Sequence, residues 1–171
     1  MSVSLRRTPE ERGFGAPPAH FDERIGQFYA YWDHKREGSD VPDRADFDPL
    51  VEIPRLLSNV WLLDIERPTM RFRYRLLGND MVSAGVVPKA GEYLDERPSA
   101  GNIQETIDAF RQVCETRTPY WRAGKPHLVH DRFVSGLQLL ALPISLGRSG
   151  NADMLMNMTV YRWLSPDDDQ R

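Results

Sequence analysis

The sequence feature that most constrains the fold is a pair of apolar runs flanking a short polar break. The runs cover residues 60–65 and 71–77, and the break contains Pro68. In the second run, apolar side chains alternate with arginines: Phe72, Tyr74 and Leu76 on one face, and Arg71, Arg73 and Arg75 on the other. Alternation with period two is typical of a half-buried strand, and proline cannot continue a strand ladder. The residues therefore predict an antiparallel β-hairpin.

The arginine face of this hairpin has two interpretations. Three guanidinium groups on one strand face can bind an anionic ligand. They can also pair with acids across the hairpin, where Asp64 and Glu66 are the available partners. Ion pairing is the commoner role for arginines on a strand surface.

An aromatic stripe in residues 19–36 predicts a helix upstream of the hairpin. The stripe consists of Phe21, Ile25, Phe28, Tyr29 and Trp32. Such a stripe must be buried, either on the sheet of the same chain or in a dimer interface, where aromatic anchors are enriched. The two roles can coexist. If the stripe is a dimer interface, replacing Trp32 or Phe28 with alanine should alter oligomeric state more than folding.

Further helices are predicted at residues 49–58, 80–84 and 103–116, and the remaining apolar segments predict three more strands. Those strands lie at residues 118–130, 137–146 and 153–163. They must be antiparallel because the turns between them are short. The economical solution is an α+β fold. It has a five-stranded antiparallel sheet, helices inserted between strands 2 and 3, and an N-terminal amphipathic helix covering the apolar central strands.

Composition divides the chain into four segments. They are a flexible leader (1–18), the N-terminal helix and connector (19–58), the sheet-containing domain (59–164) and an acidic tail (165–171).

Bulk composition argues against several classes of protein. A net charge of −3 makes a nucleic-acid partner improbable. No apolar run approaches the roughly 20 residues of a membrane span. The N-terminus lacks the apolar core of a secretory signal, which makes a cytoplasmic location the default expectation.

The sequence contains no recognisable metal or disulfide motif. Its single cysteine, Cys114, lies on the apolar stripe of the helix predicted at residues 103–116, so we expect a small buried hydrophobe. The acidic connector at residues 40–48 lacks the Gly and Glu of a calcium loop. No set of Cys and His residues has zinc-binding spacing.

Several short motifs, taken in order, resemble those of the PAS-domain superfamily, in particular small bacterial PAS proteins that stand alone without an attached kinase. The motifs are Tyr31-Trp32, Pro42-x-Arg44, Asp48-Pro49, Ile53-Pro54-x-Leu56-Leu57, Trp61-Leu62-Leu63-Asp64-Ile65, Phe72-Arg73-Tyr74-Arg75-Leu76-Leu77-Gly78, Gly91-x-x-Leu94, Thr118-Pro119 and Leu140-Ala141-Leu142-Pro143-Ile144. The resemblance runs from about Ile25 to Val160. Residues 86–90 depart from the pattern, which tends to place an acidic residue before the glycine.

The resemblance implies a non-enzymatic sensory or regulatory domain. Such a domain holds a small molecule, or nothing, between its concave sheet face and the inserted helices. It often pairs as a homodimer through the sheet or an N-terminal helix, and it passes the state of the pocket to a signalling partner. Strand alternation then predicts a ligand pocket lined by Phe72, Tyr74, Leu76, Met81, Ile107, Phe110 and Trp121.

The identity of any cofactor stays open, although two are disfavoured. Haem-binding PAS domains usually carry a histidine on the helix that corresponds to residues 103–116, and this helix has none. Photoactive flavin PAS domains place a cysteine in a motif that the surroundings of Cys114 do not match, so covalent flavin is disfavoured while noncovalent flavin is not.

Two other functions remain as alternatives. One is a ligand-free adaptor for protein interactions. The other is a small cone-shaped α+β isomerase or dehydratase, which would need an acid/base pair in an apolar cavity. Asp64 and His127 are the evident candidates for that pair.

Overall fold

The protein folds around one six-stranded antiparallel sheet, as seen in a computed structural model that describes residues 9–165. The strands are β1 (Glu11–Phe14), β2 (Val60–Glu66), β3 (Arg71–Leu77), β4 (Tyr120–Gly124), β5 (Val134–Ile144) and β6 (Met154–Trp163). Their order across the sheet is β1-β4-β5-β6-β2-β3. The N-terminal residues 1–8 and the acidic residues 166–171, parts of the predicted leader and tail, lie outside the described residues.

Within the described residues, four α-helices accompany the sheet. They are α1 (Glu23–Arg36), α2 (Pro49–Glu52), α3 (Asn79–Ser83) and α4 (Ile103–Thr116). Asp22 caps α1 by accepting a hydrogen bond from the Arg24 backbone N–H at 2.9 Å. Because α3 and α4 both lie between β3 and β4, the predicted α+β fold, with helices inserted after the hairpin, is confirmed.

The sheet has one strand more than the five predicted from the sequence. The additional strand is β1, which pairs with β4 at the sheet edge within the segment predicted to be a leader. The strand has only four residues and most of them are not apolar, so its sequence shows no alternation pattern. Long-range packing holds the strand: the Phe14 and Tyr120 rings are 5.2 Å apart, and the absence of a side chain at Gly13 lets the Trp121 ring lie against it.

The sheet separates two apolar cores, which we call the inner and outer cores. The inner core lies between the sheet and the inserted helices α3 and α4, and it includes Trp61, Leu63 and Phe110. The outer core lies between the opposite sheet face and α1, and it includes Phe28 and Leu140. The two central strands, β5 and β6, are therefore covered on both sides, as their apolar sequences indicated.

The predicted β2–β3 hairpin is confirmed, but its alternation is interrupted. Leu62 lies opposite Leu76 and Leu63 lies opposite Tyr74, so Arg75 is an extra residue in β3. Such a bulge reverses the face of every side chain beyond it. Leu76, predicted to point inward, is consequently 55% exposed, and its neighbour Leu77 packs on the inner core instead.

The arginine face of the hairpin forms ion pairs. Asp64 lies 3.6 Å from Arg73 and 3.9 Å from Arg75, which is the predicted pairing across the hairpin. Arg71 reaches instead to Asp95 beyond the hairpin, at 2.8 Å. The contacts support the structural interpretation of these three arginines.

Candidate functional site

A small cavity lies between the inner face of the sheet and the inserted helices. It encloses about 40 Å³. Its apolar lining comprises Trp61, Met81, Leu94, Ile103, Phe110, Leu128, Leu137 and Leu139, and its polar lining comprises Thr106, Arg122, His127, His130, Thr159 and Tyr161. Pockets for drug-sized ligands measure roughly 300–1,000 Å³. In this conformation the cavity therefore suits a very small molecule, and a larger ligand would require side chains to move.

Strand β6 presents a row of polar side chains to the inner core. Asn157, Thr159 and Tyr161 alternate along the strand and lie opposite Ala141, Leu139 and Leu137 of β5. Thr159 Oγ1 accepts a hydrogen bond from Trp61 Nε1 at 2.9 Å. By contrast, the Asn157 amide and the Tyr161 hydroxyl are buried with no hydrogen-bond partner among the described residues. Buried polar groups are normally paired, so these groups are candidates for contacts with a ligand.

A second tyrosine adds to this polar region. Tyr74 is only 7% exposed, and its hydroxyl also has no hydrogen-bond partner within residues 9–165. Burial raises the pKa of both Tyr74 and Tyr161, and the proximity of Tyr74 further raises the pKa of Tyr161. Both groups therefore remain neutral hydroxyls, and that of Tyr161, which lines the cavity, can donate a hydrogen bond to a ligand.

The end of the cavity nearest β1 is basic. Arg122 is 3% exposed, and its Nη2 donates to the Lys125 carbonyl at 2.7 Å and to Glu10 Oε2 at 3.3 Å. Burial lowers the pKa of Arg122, while the neighbouring Glu10 opposes that shift. A buried guanidinium that keeps its charge requires hydrogen bonds and a counter-charge, and a ligand in the cavity could supply either.

Two histidines lie beside this end and are uncharged at neutral pH. His127 Nδ1 lies 2.7 Å from Thr106 Oγ1, and burial, together with the nearby Arg122 charge, lowers the pKa of His127 to about 4. His130 Nδ1 donates to the Leu128 carbonyl at 2.8 Å, and burial lowers its pKa as well. The cavity thus combines an apolar wall with hydroxyl, imidazole and guanidinium groups.

The structure assembles only part of the predicted pocket. Met81 and Phe110 line the cavity, whereas Phe72, Tyr74 and Ile107 belong to the surrounding inner core. Leu76 lies outside because of the bulge in β3. Trp121 lies on the outer face, opposite Leu140, where its ring is 5.6 Å from that of Phe21. Period-two alternation in β4 defined two faces but could not show that Tyr120 and Arg122, rather than Trp121, point inward.

Sequence reasoning missed most of the polar lining. Thr159 and Tyr161 fall in the strand predicted at residues 153–163, to which the sequence pattern assigned no role in the pocket, and Arg122 and Thr106 were not singled out. One signal was present: Asn157, Thr159 and Tyr161 are polar residues at alternating positions in a mainly apolar strand. Polar side chains on a buried strand face are uncommon and often mark a binding site.

The aromatic stripe of α1 is packed on the chain's own sheet. Phe21, Ile25, Phe28 and Trp32 are buried in the outer core, and Trp32 Nε1 donates to the Pro143 carbonyl at 2.7 Å. Tyr29 is half-buried, with its ring 5.9 Å from that of Trp32. The packing alternative therefore accounts for the four buried residues, and a dimer interface on this stripe stays a prediction.

The residues considered for catalysis are not brought together. Asp64 lies on the outer face of β2, opposite Met154, and pairs with Arg73 and Arg75. His127 lines the inner cavity. Cys114 is buried as predicted, and burial raises its thiol pKa to about 12, so the thiol stays protonated.

Two other features are absent from the described residues: a metal-binding cluster and a membrane-spanning helix. No group of three or more His, Cys, Asp or Glu side chains within residues 9–165 could hold a metal ion. Across the same range, no helix combines the length and the apolar character needed to cross a bilayer.

The sheet, its inserted helices and the small cavity between them form an α+β domain. A family model described as "PAS domain" matches residues 22–86, which contain α1, the connector and the β2–β3 hairpin. The match supports membership of the PAS-domain superfamily and confirms the resemblance found in the sequence. PAS domains are typically non-enzymatic sensory domains that often mediate dimerisation or partner interaction. Neither the curated proteins nor the solved structures yield a significant match.

Proposed function

We propose that the protein is a cytoplasmic sensory domain that binds a small molecule in the inner cavity and signals through changed association. Its associating partner is a second copy of the chain or another signalling protein. The observation that carries this proposal is the composition of the cavity lining. Apolar walls provide non-directional binding, and the buried hydroxyl of Tyr161, which has no hydrogen-bond partner in the part of the chain that the structure describes, provides a directional contact that water or a ligand can complete.

The two faces of the sheet offer a route for the signal. Adjacent residues of β5 face opposite cores: Leu139 lines the cavity, and Leu140 packs in the outer core with α1. Helix α1 is also tied to β5 through a hydrogen bond from the Asp22 backbone N–H to Gln138 Oε1 at 2.8 Å. A ligand that shifts β5 would change how α1 packs on the sheet. The mechanism is a population shift between packings of this helix on the sheet.

Two observations support a cytoplasmic, non-enzymatic role. The only cysteine of the sequence, Cys114, is a buried free thiol, which suits a reducing compartment. The acid/base pair that an enzyme would need is split between the two faces of the sheet, with Asp64 outside and His127 inside.

The small volume of the cavity favours one alternative, a ligand-free interaction module. A space of about 40 Å³ is far below that of ordinary ligand pockets. In this alternative the inner core is only structural, and the protein acts through its surface.

Native mass spectrometry, compared with the denatured mass, separates the two functions. We expect the purified wild-type protein to retain additional mass in the native state and to change its oligomeric state when that compound is removed. Tyr161→Phe should reduce retention because it removes one hydroxyl without a large change in volume. Tyr29→Phe, in α1 and away from the cavity lining, is the matched control and should retain the compound.

The alternative function, a ligand-free interaction module, would be favoured by a dimer that carries no compound and that forms equally well in Tyr161→Phe. A bare monomer would overturn both the ligand-binding proposal and the homodimer.

A further inference from the structure

The counter-charge of a buried arginine indicates which class of small molecule the cavity recognises. We propose that the ligand is a small carboxylate with an apolar body, whose carboxylate takes the place of Glu10 at Arg122 and thereby releases β1 from the sheet edge. The inference rests on the proposed function, because it names the ligand class and the moving element for the same cavity.

Arg122 is a buried cation with a replaceable partner. Its side chain is 3% exposed, whereas the Glu10 side chain that pairs with it is 61% exposed. Among the described residues, Glu10 is the only carboxylate within ion-pair distance of Arg122. Removing the counter-charge from a buried cation is costly, but exchanging one carboxylate for another is not. An exposed side chain holds its position only weakly against such an exchange.

The guanidinium also lies between two spaces. Arg122 and His127 line both the inner cavity and a surface groove on the other side. Glu10 lies in that groove. The two side chains therefore lie at the boundary between the cavity and the groove, so a carboxylate in the groove and a chain in the cavity can both contact Arg122.

The Glu10 carboxylate already shows how a carboxylate binds at this position. Its Oε1 accepts the Lys125 backbone N–H at 2.7 Å, and its Oε2 lies 3.3 Å from Arg122 Nη2. The carboxylate occupies the space of the missing side chain of Gly124, since a Cβ built there would lie 1.9 Å from Glu10 Oε2. One backbone donor and one guanidinium donor in fixed positions make a carboxylate site that is not specific to glutamate.

The apolar wall and the limited space define the rest of the molecule. Trp61, Phe110 and Leu139 line the cavity beyond Arg122 and would contact an aliphatic chain. The small cavity volume favours a short chain over a long fatty acid. Displacing Glu10 removes a tether that lies immediately before the four-residue strand β1. The other contacts of β1 are its four-residue pairing with β4, the ring contact between Phe14 and Tyr120, and two partly exposed ion pairs, so the strand opens more easily once this tether is gone.

Isothermal titration calorimetry with sodium hexanoate tests the carboxylate, and hexan-1-ol is the neutral control of the same chain length. We expect hexanoate to bind more tightly than hexan-1-ol. Glu10→Gln should tighten hexanoate binding by about fivefold because it removes the competing carboxylate. Glu11→Gln is the matched control: Glu11 is the next residue and contacts His20 rather than Arg122, so binding should be unchanged.

Hydrogen exchange at the amides of β1 tests the release of the strand. We expect faster exchange in β1 with hexanoate than with hexan-1-ol, and exchange that is already fast in Glu10→Gln without ligand. Circular dichroism confirms folding of the variants. If Glu10→Gln does not fold, Glu10→Asp, whose shorter side chain reaches Arg122 less well, provides the same comparison.

Equal binding of hexanoate and hexan-1-ol, with no effect of Glu10→Gln, would overturn the carboxylate inference while leaving a ligand-binding cavity in place. Absence of binding by both probes also overturns the inference. The proposed function would then depend on whether native mass spectrometry finds another retained compound.

Discussion

The two faces of the sheet are built differently, although the same strands supply both. The outer face is covered by α1, and the indole N–H of Trp32, buried there, is bonded to a backbone carbonyl. The inner face contains a cavity, and there the Asn157 amide and the Tyr161 hydroxyl are buried without a hydrogen-bond partner among residues 9–165. The outer core leaves one such group in the same range, the indole N–H of Trp121, so the inner core retains more unsatisfied hydrogen-bonding capacity, at a cost in stability.

This difference is informative because stability and function compete for the same residues. A sensor needs one rigid face that keeps the fold and one adaptable face that responds. In the proposed function, opposite faces of β5 and β6 would meet these two requirements. Substitutions on the outer face should then act mainly on folding, and loss of the Tyr161 hydroxyl on the inner face mainly on ligand binding.

The largest expected effect is on the outer face. Phe28 is 0% exposed, so Phe28→Ala leaves a cavity and should lower the free energy of unfolding by about 3–5 kcal/mol. Tyr29→Ala, at the adjacent half-buried position, is the control and should cost about 1 kcal/mol or less. Urea unfolding measures both values. A change in oligomeric state at Phe28 with unchanged stability would show instead that the stripe serves as an interface.

The next effect concerns the boundary between the inner cavity and β1. Gly124 has φ +149°, a conformation that side chains rarely adopt, and its missing Cβ makes room for Glu10. Gly124→Ala should therefore cost about 1–3 kcal/mol and weaken the contact of Glu10 with Arg122. Gly26→Ala in α1 meets open space, and it should stabilise the helix by about 0.5–1 kcal/mol. In thermal unfolding, Gly124→Ala should lower the melting temperature and Gly26→Ala should raise it. A shift of the same sign would contradict the strain argument.

A smaller effect on stability distinguishes two hydroxyls of β6, one that accepts a hydrogen bond and one that makes none within the described residues. Tyr161→Phe removes a buried hydroxyl that has no hydrogen-bond partner within residues 9–165, so in the ligand-free protein it should be neutral or stabilise by up to about 1 kcal/mol. Thr159→Val leaves the Trp61 indole N–H unpaired and should cost about 1–3 kcal/mol. Denaturant unfolding of both variants provides the comparison. A clear loss of stability in Tyr161→Phe would mean that its hydroxyl is already bonded in the native state.

The smallest effect is a pH dependence that originates on the inner face. Burial lowers the pKa of His127 to about 4, well below its value in the unfolded chain. The unfolded state therefore binds the extra proton first, and stability should fall as pH decreases from about 6.5 to 4. Thr106, Arg122, Glu10 and Arg12 are the polar and charged groups that act on this imidazole.

His127→Gln should flatten the decline between these pH values, as measured by chemical unfolding at a series of pH values. An unchanged slope in His127→Gln would assign the pH dependence to another group, His130 being the next candidate.

Local patterns in the sequence determined much of the fold. Alternation predicted the β2–β3 hairpin, and helical periodicity predicted α1 and α4, because each pattern reflects the geometry of a single element. The order of the elements then led to the antiparallel sheet with inserted helices. Cys114 was placed correctly because its environment is set by its own helix.

Only the tertiary structure decided which faces are inside and which distant residues meet. Alternation in β4 cannot show that Arg122 rather than Trp121 points into the cavity, because that choice depends on packing across the sheet. The bulge that turns Leu76 outward arises from the register between β2 and β3. The contact between Glu10 and Arg122 joins residues far apart in the chain, and it depends on the space left by Gly124. Such contacts produce no periodic pattern in the sequence, so the carboxylate site can be recognised only from the folded chain.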